Sequence, residues 1–262
     1  MARALVISDI HDNSLAFQKL LKATDFDLLI LSGDICEFRC SRFVKLLKSI
    51  RNPIIIVPGN HDCVPCFRKI AASLENIYLL VNDVVTLNID GEKIVIAGLG
   101  GVYSPKTSDM HRFSVAEVLR LANKICRKEE RVDILVTHEC AKRCADIIPY
   151  TSGKRGGKEI LYLLHIVSSP RIHVCGHMHV PWIERKGDTI CFNPGMGFLG
   201  SAGIIDTKRL ECEIITVPPG IDVENEWRII YGYNYVRNVK RSYYRILEEL
   251  ADEIDRNDKA GI

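Results

Sequence analysis

Short, continuously apolar segments alternate with helix-forming segments in the first third of the chain, and this alternation constrains the fold most. The apolar segments are residues 4–7, 28–31 and 54–57, and polar residues and a helical pattern follow each one. Strands that are apolar on both faces are typical of parallel sheets whose faces are covered by helices. The sequence therefore predicts successive parallel βαβ units.

The pattern changes beyond residue 80. Two predicted strands, residues 84–89 and 93–97, flank Asp90-Gly91, a pair typical of a hairpin turn. Further strands are predicted at residues 134–136, 172–175, 189–192, 203–206 and 211–217, with helices over about 114–128 and 158–167. Together these segments predict two packed sheets with helices outside.

The C-terminal part of the chain differs in composition, and Pro218-Pro219-Gly220 separates it from the rest. We predict one domain over residues 1–217 and an extension over 218–262. In the extension, apolar residues recur every three or four positions between Val236 and Ile254, which predicts an amphipathic helix.

Composition excludes several broad classes of function. The 262 residues carry a net charge of +2, which argues against a protein that mainly binds bulk nucleic acid or an acidic membrane. No apolar run approaches the roughly 18 residues of a membrane span. The N-terminus enters a strand almost at once and leaves no room for a signal peptide. We therefore expect a cytoplasmic protein without a membrane partner.

Ten cysteines are unusual for a cytosolic chain, and their state is open. Buried, reduced thiols are the default, whereas intracellular proteins of hyperthermophiles are often rich in disulfides. The single glutamine, Gln18, leans toward a thermophile. The Cys63-Val64-Pro65-Cys66 segment also fits a redox or zinc motif. The cysteines are Cys36, Cys40, Cys63, Cys66, Cys126, Cys140, Cys144, Cys175, Cys191 and Cys212.

Five predicted strands end in side chains that can bind a metal. In open α/β sheets, ligands bind at the carboxyl ends of the strands. A mixture of imidazole, carboxylate and amide ligands suits borderline divalent metals such as Mn, Fe, Zn, Co or Ni. Seven candidate ligands exceed the needs of one ion but fit two ions that share a carboxylate. The residues are Asp9, His11, Asp34, Asn60, His138, His177 and His179, with His61 as a spare imidazole.

These strand ends resemble the motif blocks of the calcineurin-like metallophosphoesterases, including their small archaeal and bacterial phosphodiesterase-like branch. The resemblance covers about residues 3–217, and all five blocks occur in order. It implies a four-layer αββα sandwich of two mixed β-sheets flanked by helices, here with a C-terminal helical extension. The blocks are Asp9-Ile10-His11, Gly33-Asp34, Gly59-Asn60-His61-Asp62, His138 and Gly176-His177-Met178-His179.

The resemblance also implies a role for each side chain. Asp9, His11 and His179 would hold the first metal, and Asn60, His138 and His177 the second. Asp34 would bridge the two ions, and His61 would be the general acid. Glu37, three residues after Asp34, would orient His61; the alternative is a solvated loop carboxylate. Manganese is the ion expected to support activity in vitro.

The implied reaction is attack of a metal-bridging hydroxide on a phosphoester, with His61 protonating the leaving group. We expect phosphodiesters rather than phosphoproteins as substrates, because Gly33-Asp34-Ile35-Cys36-Glu37 lacks the D-R-G continuation of the family's protein phosphatases. A nuclease using the same site is the first alternative. The second is a non-catalytic scaffold, since the family includes a retromer subunit that lacks key catalytic residues. The physiological substrate, its binding residues and the native metal stay open.

Three further features of the sequence, two basic loops and the C-terminal extension, suggest binding or packing roles less specifically. The Gly-rich loop over 152–157 places Lys154 and Arg155 before a helix, where they would reach a substrate phosphate or lie in a surface turn. A second basic loop contains Lys106, His111 and Arg112. The extension interleaves tyrosines with basic residues, a pattern that favours packing or a homodimer through the C-terminal helix over binding of single-stranded nucleic acid.

Overall fold

The computed structural model describes residues 2–36, 40–104, 111–128, 131–149 and 154–220. In chain order the strands are β1 (Arg3–Ile7), β2 (Leu28–Leu31), β3 (Ile54–Ile56), β4 (Ile77–Leu79), β5 (Asn82–Ile89), β6 (Glu92–Leu99), β7 (Val102–Tyr103), β8 (Arg112–Phe113), β9 (Ile134–Thr137), β10 (Ile172–Val174), β11 (Pro181–Lys186), β12 (Thr189–Pro194), β13 (Ser201–Asp206) and β14 (Glu211–Thr216). The α-helices of these ranges are α1 (Ser14–Leu21), α2 (Cys40–Ser49), α3 (Val64–Ser73), α4 (Val115–Lys128) and α5 (Tyr162–Ser168).

Two six-stranded sheets of mixed direction form the centre of the fold. The first has the order β14-β13-β1-β2-β3-β4, in which β1 to β4 are parallel and β13 and β14 complete an antiparallel edge. The second has the order β11-β12-β10-β9-β6-β5, with β12, β10, β9 and β6 parallel. The outermost strands β11 and β5 pair antiparallel with their neighbours.

Each sheet buries both faces, as the continuous apolar strands predict. Val6, Ile30 and Ile55 of the first sheet share a central core with Ile134 and Val174 of the second. The opposite faces pack against helices, and this arrangement confirms the predicted four-layer αββα sandwich. The residues that face α1, α2 and α3 include Leu5, Ile7, Leu29 and Ile56, while those that face α4 and α5 include Val95, Leu135 and Cys175.

Two strands of the six-stranded sheets, β4 and β11, were not predicted from the sequence, and neither was the two-stranded sheet of β7 and β8. β4 has only three residues and lies at a sheet edge. β11 also lies at an edge, and because exposed residues such as Arg185 alternate with less exposed ones, it contains no continuous apolar run. The predicted helix over 158–167 instead begins as a 3₁₀ turn at Glu159–Leu161 before α5.

Eight cysteines pair as disulfides, so the expectation of reduced thiols is wrong for them. The bonds are Cys36–Cys40, Cys63–Cys66, Cys140–Cys175 and Cys144–Cys191. The remaining two cysteines, Cys126 and Cys212, are free thiols. The first three bonds adjoin strand ends that carry candidate metal ligands, which is where the sequence places these cysteines.

Part of the predicted organisation lies outside the described residues. The amphipathic helix and the tyrosine-rich segment of the extension belong to 221–262, so the domain division and the dimer stay predictions. Within the part of the chain that the structure describes, no helix is long and apolar enough to cross a membrane.

Candidate metal centre

The carboxyl ends of β1, β2, β3, β9 and β10 meet along one edge of the sandwich. Hydrogen bonds tie the two sheets together there. The imidazole Nδ1 of His138, after β9, lies 2.9 Å from the carbonyl oxygen of Ser32, after β2. The backbone N–H of His177, after β10, donates to the Asp9 carboxylate after β1, at 3.0 and 3.2 Å from its two oxygens. Residues far apart in the sequence therefore face one another.

One group of three side chains comprises Asp9, His11 and His179. One ligand atom from each lies within 4.8 Å of the other two. His179 Nε2 is 3.2 Å from Asp9 Oδ1, and His11 Nε2 is 4.0 Å from the same oxygen. These are the three residues predicted to hold the first metal.

A second group comprises Asp34, His138 and His177, whose ligand atoms also lie within 4.8 Å of one another. Asn60 joins this group, because its amide Oδ1 is 3.2 Å from His138 Nε2. The structure thus brings together the three residues predicted for the second metal and the predicted bridging carboxylate.

Asp34 occupies the position between the two groups. Its Oδ2 is 3.3 Å from His138 Nε2 and 3.9 Å from His11 Nε2. Its Oδ1 accepts a hydrogen bond from the backbone N–H of His61 at 2.9 Å. One carboxylate oxygen therefore faces donor atoms of both groups, as a shared ligand requires.

Six site residues adopt the left-handed backbone conformation. Positive φ is uncommon for residues other than glycine and costs free energy, and such residues cluster at functional sites. Here these conformations turn the chain sharply after β1, β2 and β10. The residues and φ values are Asp9 (53°), His11 (43°), Asp12 (65°), Asp34 (51°), His177 (60°) and His179 (61°).

Two glycines allow the strand ends to approach closely. A Cβ added to Gly59 would lie 2.0 Å from Asp34 Oδ1, and one added to Gly33 would lie 2.2 Å from His138 Nδ1. Gly33 also has a φ of 102°. A larger residue at either position would displace a candidate metal ligand.

Burial and neighbouring charges act in opposite directions on the pKa values of Asp34 and His138. Burial would raise the pKa of Asp34, but the surrounding His138, His11 and His61 hold it well below its ordinary value. Burial likewise opposes ionisation of His138, yet Asp34 outweighs it and raises the pKa of His138 to about 10. Burial and the charge on His138 lower the pKa of His177 to about 3. Asp34 is thus ionised at neutral pH and His177 is neutral, the forms that bind metals, whereas His138 must release its proton when a metal binds.

Asp62 has a part in the site that the sequence prediction missed, although it belongs to the Gly59-Asn60-His61-Asp62 motif. Its buried carboxylate accepts hydrogen bonds from the backbone N–H groups of Ile35 at 2.8 Å, Cys36 at 3.0 Å and Gly59 at 2.8 Å. Asp62 therefore joins the loops that carry Asp34 and Asn60. Its place at the end of the motif is the sequence signal that could have indicated this role.

His61 lies beside the two groups, as its predicted role requires. Its ring centroid is 5.4 Å from that of His11, in an edge-to-face arrangement. Its side chain is partly exposed, unlike those of Asp34 and His138. Glu37 lies outside the described residues, so its orienting role stays a prediction.

The two basic loops differ in what their side chains contact. Arg155 is held by carboxylates, with Nη1 at 2.9 Å from Asp146 and Nη1 and Nη2 at 2.7 and 2.8 Å from Glu184. These ion pairs replace the suggested contact between Arg155 and a substrate phosphate with a structural role. Lys106 lies outside the described residues, whereas Arg112 lines a cavity next to the site.

That cavity has a volume of about 360 Å³ and is rich in basic side chains, which are Arg68, Arg112, Arg120, Lys124 and His111. It adjoins the site at Gly100, where an added Cβ would lie 2.8 Å from Pro58, the residue before Gly59. Among the described residues, Arg112 Nε and His111 Nε2 are buried without a hydrogen-bond partner. The cavity therefore offers unused polar atoms beside the candidate metal centre.

The donor set fits two divalent ions. Two buried carboxylates, four imidazoles and one amide oxygen converge as two groups that share Asp34. Mixed nitrogen and oxygen ligands of this kind suit Mn, Fe, Zn, Co or Ni.

Comparison with known proteins agrees with this arrangement. The family model described as calcineurin-like phosphoesterase matches residues 2–181. No curated protein matches the sequence. The solved structure of TT1561 of Thermus thermophilus has 18% identity and a TM-score of 0.66, with 82% of this chain and 98% of that chain covered.

Two further solved structures share the fold. One, described as a novel archaeal phosphodiesterase, has 17% identity and a TM-score of 0.50 over 82% of this chain and 99% of that chain. The other, a dimetal phosphatase from Danio rerio, has 12% identity and a TM-score of 0.51 over 82% and 98%. The family match spans more than half of the sequence, and the chain belongs to the calcineurin-like phosphoesterases.

Proposed function

We propose that this calcineurin-like phosphoesterase is a dinuclear-metal-dependent enzyme that hydrolyses phosphodiesters. Asp9, His11 and His179 hold one ion, and Asn60, His138 and His177 hold the other. Asp34 bridges them and His61 is the general acid. The observation that carries the proposal is the position of Asp34 Oδ2, 3.3 Å from one group's His138 and 3.9 Å from the other group's His11.

Two bound divalent ions supply an activated water and stabilise the charge that develops on the phosphoryl oxygens. The protein's own residues position the metal ligands and supply a proton. The absence of a side chain at Gly33 and Gly59 leaves the space that His138 and Asp34 occupy. His61, partly exposed beside His11, donates its proton to the leaving oxygen. Because the donor stands on the open side of the site, it is placed to meet a bound ester.

The cationic cavity supports an anionic substrate larger than one phosphoryl group. Its acidic lining residues are already engaged: Asp83 pairs with Lys124 at 3.2 Å, and Glu117 accepts from the backbone N–H of Ser114 at 2.6 Å. The lining holds four cationic side chains, Arg68, Arg112, Arg120 and Lys124, against these two carboxylates, so its net charge is positive. We propose that Arg112 contacts a second anionic or polar group of the substrate.

The neighbour described as an archaeal phosphodiesterase also favours the diesterase reaction. The nuclease alternative depended on the basic and aromatic residues of the extension, which lies outside the described residues. The scaffold alternative is disfavoured because all seven candidate ligands are present and converge.

A direct test compares hydrolysis of an aryl phosphodiester and an aryl phosphomonoester in Mn, Ni, Mg and Zn. We expect metal-dependent turnover, greater with the diester, that is lost in Asp34→Asn and on chelation. Metal stoichiometry of Asp34→Asn should fall below the two ions of the wild type. Absence of metal-dependent turnover in the wild type would favour the scaffold. Cleavage of single-stranded DNA or RNA in preference to small diesters would favour the nuclease.

A further inference from the structure

A second cluster of metal-binding side chains lies away from the strand ends, beneath α5. It contains Cys144, His165 and His173, and all three residues are buried. One ligand atom from each lies within 4.8 Å of the others. His165 Nε2 is 2.6 Å from His173 Nδ1, which is in turn 3.3 Å from Cys144 Sγ. None of these residues belongs to the motifs of the phosphoesterase site.

A second sulfur is already attached to the cluster. Cys191 Sγ is bonded to Cys144 Sγ in a disulfide. Cys191 on β12 is also the register partner of His173 on the neighbouring parallel strand β10. Register partners project from the same face of a sheet, so Cys191 and His173 point toward the same space. Two sulfurs and two imidazoles make up the ligand set of a structural zinc site.

Hydrogen bonding fixes which nitrogen of His173 is available. The Thr137 hydroxyl donates to the carbonyl oxygen of Glu139 at 2.6 Å. That hydroxyl therefore accepts from His173 Nε2 at 2.7 Å, which places the imidazole proton on Nε2. The lone pair of His173 Nδ1 then faces His165 and Cys144. Ligand histidines in metal sites typically donate their other N–H to an oxygen in this way.

The environment of His165 and His173 keeps both imidazoles neutral. Burial, with added positive charge from Lys186, lowers the pKa of His165 to about 4 and that of His173 well below its ordinary value. Neutral imidazole is the form that binds metal. A zinc ion with two thiolates has no net charge, so the buried cluster could hold it without an added counter-ion.

We propose that reduction of the Cys144–Cys191 disulfide converts this cluster into a zinc site formed by Cys144, Cys191, His165 and His173. A dithiol supplies two electrons and two protons to the sulfur–sulfur bond, giving two thiols and the oxidised, cyclic reductant. Binding of Zn²⁺ releases the two thiol protons to solvent, and the single proton of neutral His165, which now lies on Nε2 and is donated to His173 Nδ1, moves to Nδ1. The loop that carries Cys144 is then held to β12 by a disulfide under oxidising conditions, and to α5, β10 and β12 by a metal under reducing ones.

Zinc binding would require only small movements of most side chains in the cluster. In tetrahedral zinc sites, a sulfur and a nitrogen ligand are roughly 3.5 Å apart and two nitrogen ligands roughly 3.3 Å apart. The sulfur–nitrogen distance from Cys144 to His173 is already 3.3 Å. The two imidazoles, now 2.6 Å apart, must separate slightly, and Cys191 must rotate away from Cys144.

Cobalt spectroscopy tests the proposal independently of the phosphoesterase site. Tetrahedral Co²⁺ bound by thiolate gives a sulfur-to-metal charge-transfer band, whereas the nitrogen and oxygen ligands of the strand-end site cannot. We expect the band when Co²⁺ is added to the full chain after dithiol reduction, and not when it is added to the oxidised chain. The band should correspond to one Co²⁺ per chain beyond those that the strand-end site binds, disappear on addition of Zn²⁺ and be weaker in His165→Ala.

A variant that cannot form the Cys144–Cys191 disulfide makes the test independent of how easily that bond is reduced. Cys191→Ser frees Cys144 and leaves the other three disulfides intact, so the unreduced variant should show a one-thiolate cobalt band. Cys126→Ser is the matched control, since Cys126 is a free, exposed thiol, and should change nothing. Absence of a band from both the reduced wild type and Cys191→Ser would overturn the proposal. So would a band of undiminished intensity in unreduced Cys191→Ser that also carries His165→Ala, in which the other three disulfides stay closed.

Discussion

The Asp62 carboxylate accepts a hydrogen bond at 2.8 Å from the backbone N–H of Ile35, a residue 27 positions away in a neighbouring strand-end loop. The same carboxylate also accepts from Cys36 and Gly59. Ile35 directly follows Asp34, and Gly59 directly precedes Asn60. Asp62 thus sets the separation of two candidate metal ligands without being one of them.

Asp62→Asn should weaken both stability and metal binding. The amide has one acceptor oxygen in place of two and leaves at least one buried N–H unsatisfied, at a cost of about 1–3 kcal/mol. We expect a lower free energy of unfolding and a higher concentration of Mn²⁺ for half-maximal activity. Asp188→Asn in an exposed turn is the matched control. Unchanged manganese dependence in Asp62→Asn would contradict the positioning role.

His61→Gln should separate proton donation from metal binding. A general acid contributes about 10²- to 10⁴-fold to the rate, and contributes least when the leaving group needs no proton. We therefore expect kcat to fall steeply for an alkyl ester and much less for a nitrophenyl ester, with two metal ions retained. An equal loss for both esters would mean that His61 acts by other means.

Arg112→Ala should reveal what the cationic cavity recognises. A lost hydrogen bond between charged groups costs about 1.5–3 kcal/mol, which corresponds to about a 10- to 100-fold rise in KM. We expect that rise only for diesters that carry a second anionic group, with kcat little changed. Arg127→Ala, at an exposed position on α4, is the control and should leave KM unaltered. Equal KM values for Arg112→Ala and wild type would exclude the cavity as a substrate site.

Glu184→Gln should make stability less dependent on pH at the acid end. Burial raises the pKa of Glu184, but hydrogen bonds from Arg155 and from the backbone of Ala145 outweigh it, and the pKa lies below its ordinary value of 4.5. The unfolded chain therefore takes up this proton first as pH falls, so the contribution is present above about pH 4.5 and is lost below it. Because the pair is partly exposed, we expect a loss of only about 1 kcal/mol at pH 7.

Denaturant unfolding at about pH 7 and about pH 3.5, on either side of the ordinary glutamate pKa, would measure this difference. The gap between Glu184→Gln and wild type should shrink at the lower pH. A gap that is equal at both values would show that the Glu184 charge does not contribute.

Thiol counting should give two reactive cysteines in the unfolded, unreduced protein. Cys126 and Cys212 are the free thiols, and the other eight of the ten cysteines are paired. Alkylation in denaturant followed by mass measurement should add two labels without reductant and ten after reduction. The bonds that close the longer loops, with separations of 35 and 47 residues, should contribute most to stability, about 3–4 kcal/mol each in the chain-entropy account. More than two labels without reductant would show that disulfides are missing.

Sequence patterns predicted the central strands of the two sheets better than the edge strands. Continuous apolar strands such as β2 are recognised because both faces are buried, and hydrophobicity alone reports that. The edge strands β4 and β11 are short or alternate in exposure, so they resemble loops until a neighbouring strand pairs with them. The cysteines illustrate the same limit, since a pairing such as Cys144–Cys191 spans 47 residues and depends on a loop and a strand that meet only in the fold.

The sequence by itself determined the family, the αββα architecture and the residues gathered at the strand ends, because motif order and strand composition are local properties of the chain. Only the tertiary structure decided how those residues meet: that Asp34 lies between the two groups, that Asp62 ties their loops together, and that His165 and His173 adjoin a disulfide. These relationships depend on distances between segments that are remote in sequence. Such distances are set by strand register and by the packing of the two sheets, which no local pattern encodes.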